Sequence, residues 1–264
     1  AAVVGDSSTI LTSTDGGDSW TKKLSYQKRN ISDVFLMRNG TAVLVGDSSS
    51  IYYGIKNLDS LIQIPQPKGN TFFRVKFFND QTGFITGNKG VILKSLDGGF
   101  SWTKTKTNTK EILFDVSFFN DKKGFAVGWN GTILATTNSG DSWFKVKTED
   151  ASLDNNYLKS IDLNSKGYGL IVGGDGTILR TTNFGNSWEK IDIKFSGGFQ
   201  KVKFINEDYS IIIGSKGIIL VSKDKGETWN VVDSRIYSNL NGIGVSAYGK
   251  IFLVGINGMI YRIQ

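Results

Sequence analysis

The chain lacks cysteine and histidine, and it has only two prolines and two methionines in 264 residues. Without cysteine there are no disulfides and no thiol chemistry. Without histidine the commonest zinc ligand and the usual general base near neutral pH are both missing. No apolar run approaches the roughly 18 residues that cross a bilayer as a helix. No window sustains a helical period of apolar residues. No cofactor and no metal is expected.

Glycine is plentiful instead, at 32 residues, and much of it falls in two repeated phrases. The first is Ser/Thr-x-Asp/Asn-x-Gly-x-Ser/Thr-Trp. It runs from Ser13 to Trp20 and returns at Ser95–Trp102, Thr136–Trp143, Thr181–Trp188 and Ser222–Trp229. The second is Gly-x-x-Gly, starting at Gly87, Gly128, Gly173, Gly214 and Gly255; copies at Gly5 and Gly46 end in serine. The first glycines are spaced by 41, 41, 41, 45, 41 and 41 residues. A fixed period of this size means one structural unit copied along the chain, here seven times. The second unit is degenerate, with Lys56 in place of the acid and Leu61 in place of the tryptophan.

One unit reads as four strands. Phe72–Phe78, Thr82–Gly87 and Val91–Ser95 are short β-rich runs, separated by Asn79-Asp80 and Asn88-Lys89, and a fourth follows Trp102. Such runs punctuated by Gly, Asn and Asp are the signature of hairpins. Four strands in about 41 residues is one propeller blade. In the repeated phrase the Asp or Asn oxygen can accept backbone N–H groups across its own turn. The glycine permits positive φ, and the tryptophan offers a large apolar face to a seam between blades. The positions Asp15, Trp20, Asp97, Trp102, Asn138, Trp143, Asn183, Trp188, Asp224 and Trp229 are therefore read as structural. A calcium role fits poorly, since each turn offers one such side chain and calcium takes about six to eight oxygens.

These phrases identify the chain as resembling the Asp-box (BNR) repeat β-propellers. The order Gly-x-x-Gly, Ile-Leu, Asp-box, as in Gly131-Thr132-Ile133-Leu134 and Gly176-Thr177-Ile178-Leu179, is most similar to the photosystem II assembly-factor propellers. The expected fold is all-β: a seven-bladed propeller of four-stranded antiparallel blades, with the first and last blades incomplete. A single domain, 1–264, is expected, with blades at about 1–25, 26–66, 67–107, 108–149, 150–193, 194–234 and 235–264. The chain starts within a second strand and stops after a third. A stretch of roughly twenty residues upstream would supply both missing strands, judged from the period.

Function is sought where the repeats disagree. First-strand positions Val34, Val75, Val116, Ile161, Val202 and Ile243 agree, as do Leu36, Phe77, Phe118, Leu163, Phe204 and Val245 two residues on. The alternating positions do not: Asp33, Arg74, Asp115, Ser160, Lys201 and Gly242. With a side-chain period of two they face away from the core set and toward a central channel. They form either a polar ligand site or a set of ion pairs, such as Arg74 with Asp33 or Asp115. A second group sits on the loops between blades, on the same face as the Gly-x-x-Gly turns: Lys28, Arg29, Lys110, Arg235 and Tyr237. The longest of these loops carries the acidic pair Glu149-Asp150. Trp129 lies inside a Gly-x-x-Gly turn, either as a contact residue or packed on the neighbouring loop. The candidate partner-binding residues are Arg29, Arg74, Lys110, Asp115, Trp129, Lys201, Arg235 and Tyr237.

A net charge of +7 favours acidic partners or surfaces. The lysines are dispersed, and no basic block or stacking module marks a specific nucleic-acid binder. The resemblance implies a non-enzymatic scaffold that binds a protein partner or larger assembly, in an extracytoplasmic setting: periplasm, lumen, cell surface or virion. The six arginines are scattered, unlike the arginine-rich patch of related proteins. One alternative is a surface or virion adhesion module recognising glycan or protein. Another is a glycoside hydrolase, for which Asp33, Asp115 and Asp162 are the conceivable carboxylates. The carboxylate pair would have to lie about 5 to 9.5 Å apart.

Overall fold

The computed structural model describes residues 1–23, 29–147, 153–193, 195, 197–246 and 249–263. Lys28, Glu149 and Asp150 lie outside them. The fold is an all-β, seven-bladed β-propeller with antiparallel blades. The first blade has three strands, β1 (Ala2–Gly5), β2 (Thr9–Thr12) and β3 (Thr21–Lys22). The second has β4 (Ile31–Leu36), β5 (Ala42–Gly46), β6 (Ile51–Ile55) and β7 (Ser60–Gln63). The third has β8 (Phe72–Phe77), β9 (Gly83–Gly87), β10 (Ile92–Ser95) and β11 (Thr103–Lys104). The fourth has β12 (Leu113–Phe118), β13 (Gly124–Gly128), β14 (Ile133–Thr136) and β15 (Phe144–Lys145). The fifth has β16 (Leu158–Leu163), β17 (Gly169–Gly173), β18 (Ile178–Thr181) and β19 (Glu189–Lys190). The sixth has β20 (Phe199–Phe204), β21 (Ser210–Gly214), β22 (Ile219–Ser222) and β23 (Asn230–Val231). The last has three, β24 (Leu240–Val245), β25 (Ile251–Gly255) and β26 (Ile260–Ile263). The chain divides into two compact units, Ala1–Phe114 with Gly140–Phe144, and Asp115–Ser139 with Lys145–Gln264.

Each Asp-box is a closed local circuit. Ser95 Oγ donates to Asp97 Oδ1 at 2.8 Å and accepts the Gly99 N–H at 2.8 Å. Asp97 in turn accepts the Ser101 backbone N–H at 3.0 Å and the Ser101 hydroxyl at 2.6 Å. The same circuit joins Ser13, Asp15, Gly17 and Ser19, and again Ser222, Asp224, Gly226 and Thr228. Where asparagine replaces aspartate the polarity reverses: Asn183 Nδ2 donates to Ser187 Oγ at 2.9 Å. In the fourth blade Thr136 Oγ1 donates to Asn138 Oδ1 at 2.9 Å. The recurring glycine has no room for a Cβ. One built on Gly99 would lie 2.6 Å from Val43, on Gly140 2.3 Å from Phe84, on Gly185 2.4 Å from Phe125 and on Gly226 2.5 Å from Leu170. All four contacts are with the preceding blade. The box is thus the part of each blade pressed into its neighbour, and the tryptophans follow it there. Trp143 meets Phe84 edge-on at 6.3 Å and Trp188 meets Phe125 at 5.6 Å. Trp102 meets Phe77 of its own blade at 5.8 Å, and Trp229 joins the cluster around Leu170 and Val202. Trp20 is half-buried.

The circuits make stability depend on pH. Hydrogen bonds from Ser19, the side chain foremost, hold the Asp15 carboxyl well below the ordinary aspartate range. At Asp97 and Asp224 burial pushes upward, but the bonds from Ser101 and Ser95, or Thr228 and Ser222, outweigh it and hold both carboxyls low. A depressed folded-state value stabilises the protein above the unfolded value, about 3.9 for aspartate. That stability is lost as pH falls through the folded value. Thermal unfolding should therefore be nearly flat down to about pH 5 and fall below about pH 4. Asp97→Asn/Asp224→Asn should flatten that fall; an unchanged acid slope in differential scanning calorimetry would refute the assignment.

The first strand carries an irregularity that strict alternation hides. Register shifts by one residue between Ile31 and Asp33, Phe72 and Arg74, Leu158 and Ser160, Phe199 and Lys201, and Leu240 and Gly242. A β-bulge of this kind re-aims the side chain that follows it, and that residue is the one at which the repeats diverge. Among the inner core positions Val75, Val116, Ile161 and Val202 are buried. Two residues on, Phe77 and Leu163 are buried, but Leu36 is 41% and Val245 37% exposed. The second strand contributes to the difference. Gly83 and Gly169 open a floor beneath Phe77 and Leu163, where a Cβ would come within 2.5 Å of each side chain. Leu36 and Val245 instead face Ala42 and Ile251.

Candidate functional site

The sequence-derived candidates fall into two settings. The first is the inner strands. Asp33 Oδ2 accepts the Val75 N–H of the next blade at 2.9 Å, and Arg74 Nη1 lies 3.5 Å from Asp33 Oδ1. Asp115 is fully buried. It accepts its neighbour Val116 N–H at 2.9 Å, the Ser160 hydroxyl at 2.8 Å and the Ile161 N–H at 3.3 Å, with Lys201 Nζ 3.7 Å away. Asp162 Oδ2 accepts the Phe204 N–H at 2.9 Å. Each of the three carboxylates therefore clips the inner strand of the next blade to its own. At Asp33, which follows the bulge in β4, the bulge supplies the geometry, since it turns the carboxylate sideways instead of into the core.

The second setting is the turns between second and third strands and the inter-blade loops that wrap them. The wrap is tight. A Cβ on Gly90 would lie 2.0 Å from Thr109 O, on Gly131 2.6 Å from Leu153 O, and on Gly217 1.8 Å from Ile236 O. Positive φ at these glycines, +67°, +58° and +72°, adds a second reason for the residue. The serine copies bond the loop instead: Ser8 Oγ donates to Arg29 O at 2.8 Å and Ser49 Oγ to Pro67 O at 2.7 Å. Arg29 is tied into this layer, its Nη1 donating to Ser48 O at 3.1 Å. Lys110 is exposed on the loop over Gly90. Arg235 and Tyr237 flank Ile236 on the loop over Gly217, and Tyr237 is 87% exposed.

Trp129 is both packed and accessible. Its ring stacks on Tyr157 at 6.0 Å and 13°, their backbones form a bridge, and Trp129 remains 44% exposed. Tyr157 is seated by two glycines: a Cβ on Gly174 would come 3.0 Å from its ring and one on Gly198 3.0 Å from its hydroxyl. Lys159 Nζ stands 5.9 Å from the Tyr157 ring centre, and burial pushes its ammonium pKa down. Sequence reasoning missed Tyr157 and Lys159. A signal existed, because the residue before each first strand reads Asn30, Thr71, Ile112, Tyr157, Gly198 and Asn239, aromatic once.

The model of one family, described as photosynthesis system II assembly factor YCF48, matches residues 96–261. The chain belongs to this family. Nothing among curated proteins matches it. Solved structures of the family share its fold: YCF48 bound to D1 peptide is 19% identical with a TM-score of 0.81, covering 99% of this chain and 86% of that one. YCF48 from Cyanidioschyzon merolae is 16% identical at 0.81, covering 100% and 90%. Outside the YCF48 family, an ancestral GH74 enzyme has a TM-score of 0.77 at 13% identity, with 99% of this chain covering 42% of that one. Among the described residues no helix is long and apolar enough to cross a membrane.

Proposed function

We propose that this propeller is a non-enzymatic scaffold that binds a segment of a protein partner on its turn-and-loop face. The Trp129–Tyr157 ledge is its anchor, and the setting is extracytoplasmic. The observation that carries the reading is the exposed tryptophan stacked on Tyr157. Interface anchors are typically aromatic, preorganised and partly desolvated. The family supports a protein partner, because one of its members is seen with a peptide of D1 bound. The inner carboxylates support a role without catalysis, since Asp33, Asp115 and Asp162 are spent on blade-to-blade clips.

The test is a titration of a fluorescent D1 peptide followed by anisotropy. Binding is expected, and Trp129→Ala should weaken it at least about tenfold, as loss of a central aromatic anchor does. Arg235→Ala and Tyr237→Ala should have smaller effects. Absence of binding by the intact protein would defeat the partner class. Binding unaffected by Trp129→Ala would defeat the ledge as its anchor.

A further inference from the structure

The outer edge of the second blade differs from the others. The outer strands β3, β11, β15 and β19 are two residues long and each ends on an exposed lysine: Lys22, Lys104, Lys145 and Lys190. Lysine on an edge strand resists pairing with another chain. β23 is equally short. β7 runs for four residues, Ser60–Gln63, and no charged residue occurs from Ser60 to Pro67. The extra length comes from the lost Asp-box. Lys56, Asn57 and Leu58 turn with φ of +51°, +56° and +69°, and Ser60-Leu61 then extends where other blades hold Ser/Thr-Trp.

The backbone register shows which groups point outward. Ile64 N–H donates to Ile51 O at 2.9 Å, and Tyr53 pairs with Ile62. Ile62 and Ile64 therefore turn their backbone groups toward β6, while Leu61 and Gln63 turn theirs away from the blade. The outward row is short at both ends. Pro65 has no N–H to offer, and the Asp59 N–H is used on Lys56 O at 3.2 Å. Ile62 is 48% exposed, on the same face as Tyr53, which stacks on the exposed Phe100 at 4.1 Å.

We propose that β7 is a self-association edge, paired antiparallel with β7 of a second copy of this chain about a twofold axis. Leu61 faces the second copy's Gln63 and the reverse, giving about four N–H···O bonds. Ile62 meets its symmetry mate at the non-hydrogen-bonded position, where antiparallel Cα atoms approach to about 4.5 Å. The segment from Ser60 to Pro67 carries no charge, so its pairing brings no like charges together despite the +7 of the chain. Pro65 stops it from lengthening. The contact is isologous and closes at two copies.

Sedimentation velocity from roughly 10 to 500 µM covers the range expected of so small an interface. The expected result is a monomer–dimer equilibrium. Ile62→Lys, which restores the guard found on other outer strands, and Gln63→Pro, which deletes an outward N–H, should each raise the dissociation constant at least about tenfold. Melting of Ile62→Lys should stay unchanged at low concentration. A parent protein that stays monomeric through about 500 µM overturns the proposal, as does a dimer that both variants leave intact.

Discussion

Trp143→Ala is expected to lower the free energy of unfolding by about 3 to 5 kcal/mol. The Trp143 side chain is 2% exposed, its ring stands edge-on to Phe84, and its indole N–H donates to Gly140 O at 3.2 Å. Gly140 is itself pressed against Phe84, so neighbouring backbone has little freedom to fill the void. Collapse of a site is what reduces the cost of a large-to-small change, and here it is blocked. Urea unfolding should show a lower midpoint at an unchanged slope, the sign of a stability change alone. Trp129→Ala is the internal control. Its ring is partly in water and stacked on one face, so its loss should cost clearly less. Equal costs at the two positions would mean that the seam is not where the stability resides.

Asp115→Ala should cost a comparable amount, about 3 to 5 kcal/mol, for an electrostatic reason. The carboxylate accepts the Ser160 hydroxyl and two backbone N–H groups, with Lys201 close by. Removing it leaves buried donors without that acceptor, and each such loss costs about 1 to 3 kcal/mol. Asp115→Asn keeps one acceptor oxygen and should cost less. The measurement also separates roles. Groups placed for ligands often cost stability, and removing them is neutral or stabilising. An Asp115→Ala protein as stable as its parent would show that the carboxylate is held for a ligand and not for the blades.

The repeat made most of the architecture legible. A tryptophan immediately before each two-residue outer strand, and a glycine three before the tryptophan, mark the box without any coordinates. An ion pair of Arg74 with Asp33 or Asp115 was also readable, because opposite charges stood at the same position of adjacent units, and Arg74 does meet Asp33. The bulge was not. It adds one residue without altering the hydrophobic spacing of Val75 and Phe77, so a period of two fits the sequence equally well with or without it. Leu36 and Val245 were misplaced for a related reason. Their burial depends in part on the partner across the pair, glycine in some blades and Ala42 or Ile251 in these. At the loops, Trp129 announced itself by rarity, whereas the Tyr157 that supports it is visible only when the residues before each first strand are aligned.

The direction in which the seams are filled has a consequence for synthesis. Phe84 is covered by Gly140 and Trp143, and Phe125 by Gly185 and Trp188, in each case from about sixty residues downstream. A blade leaving the ribosome can pair its own strands and close its own box at once, because those bonds span few residues. Its apolar flank stays bare until the following blade has been translated. The nascent chain therefore carries one unfinished seam forward at a time, and a translational pause would leave a single greasy edge for chaperones to cover.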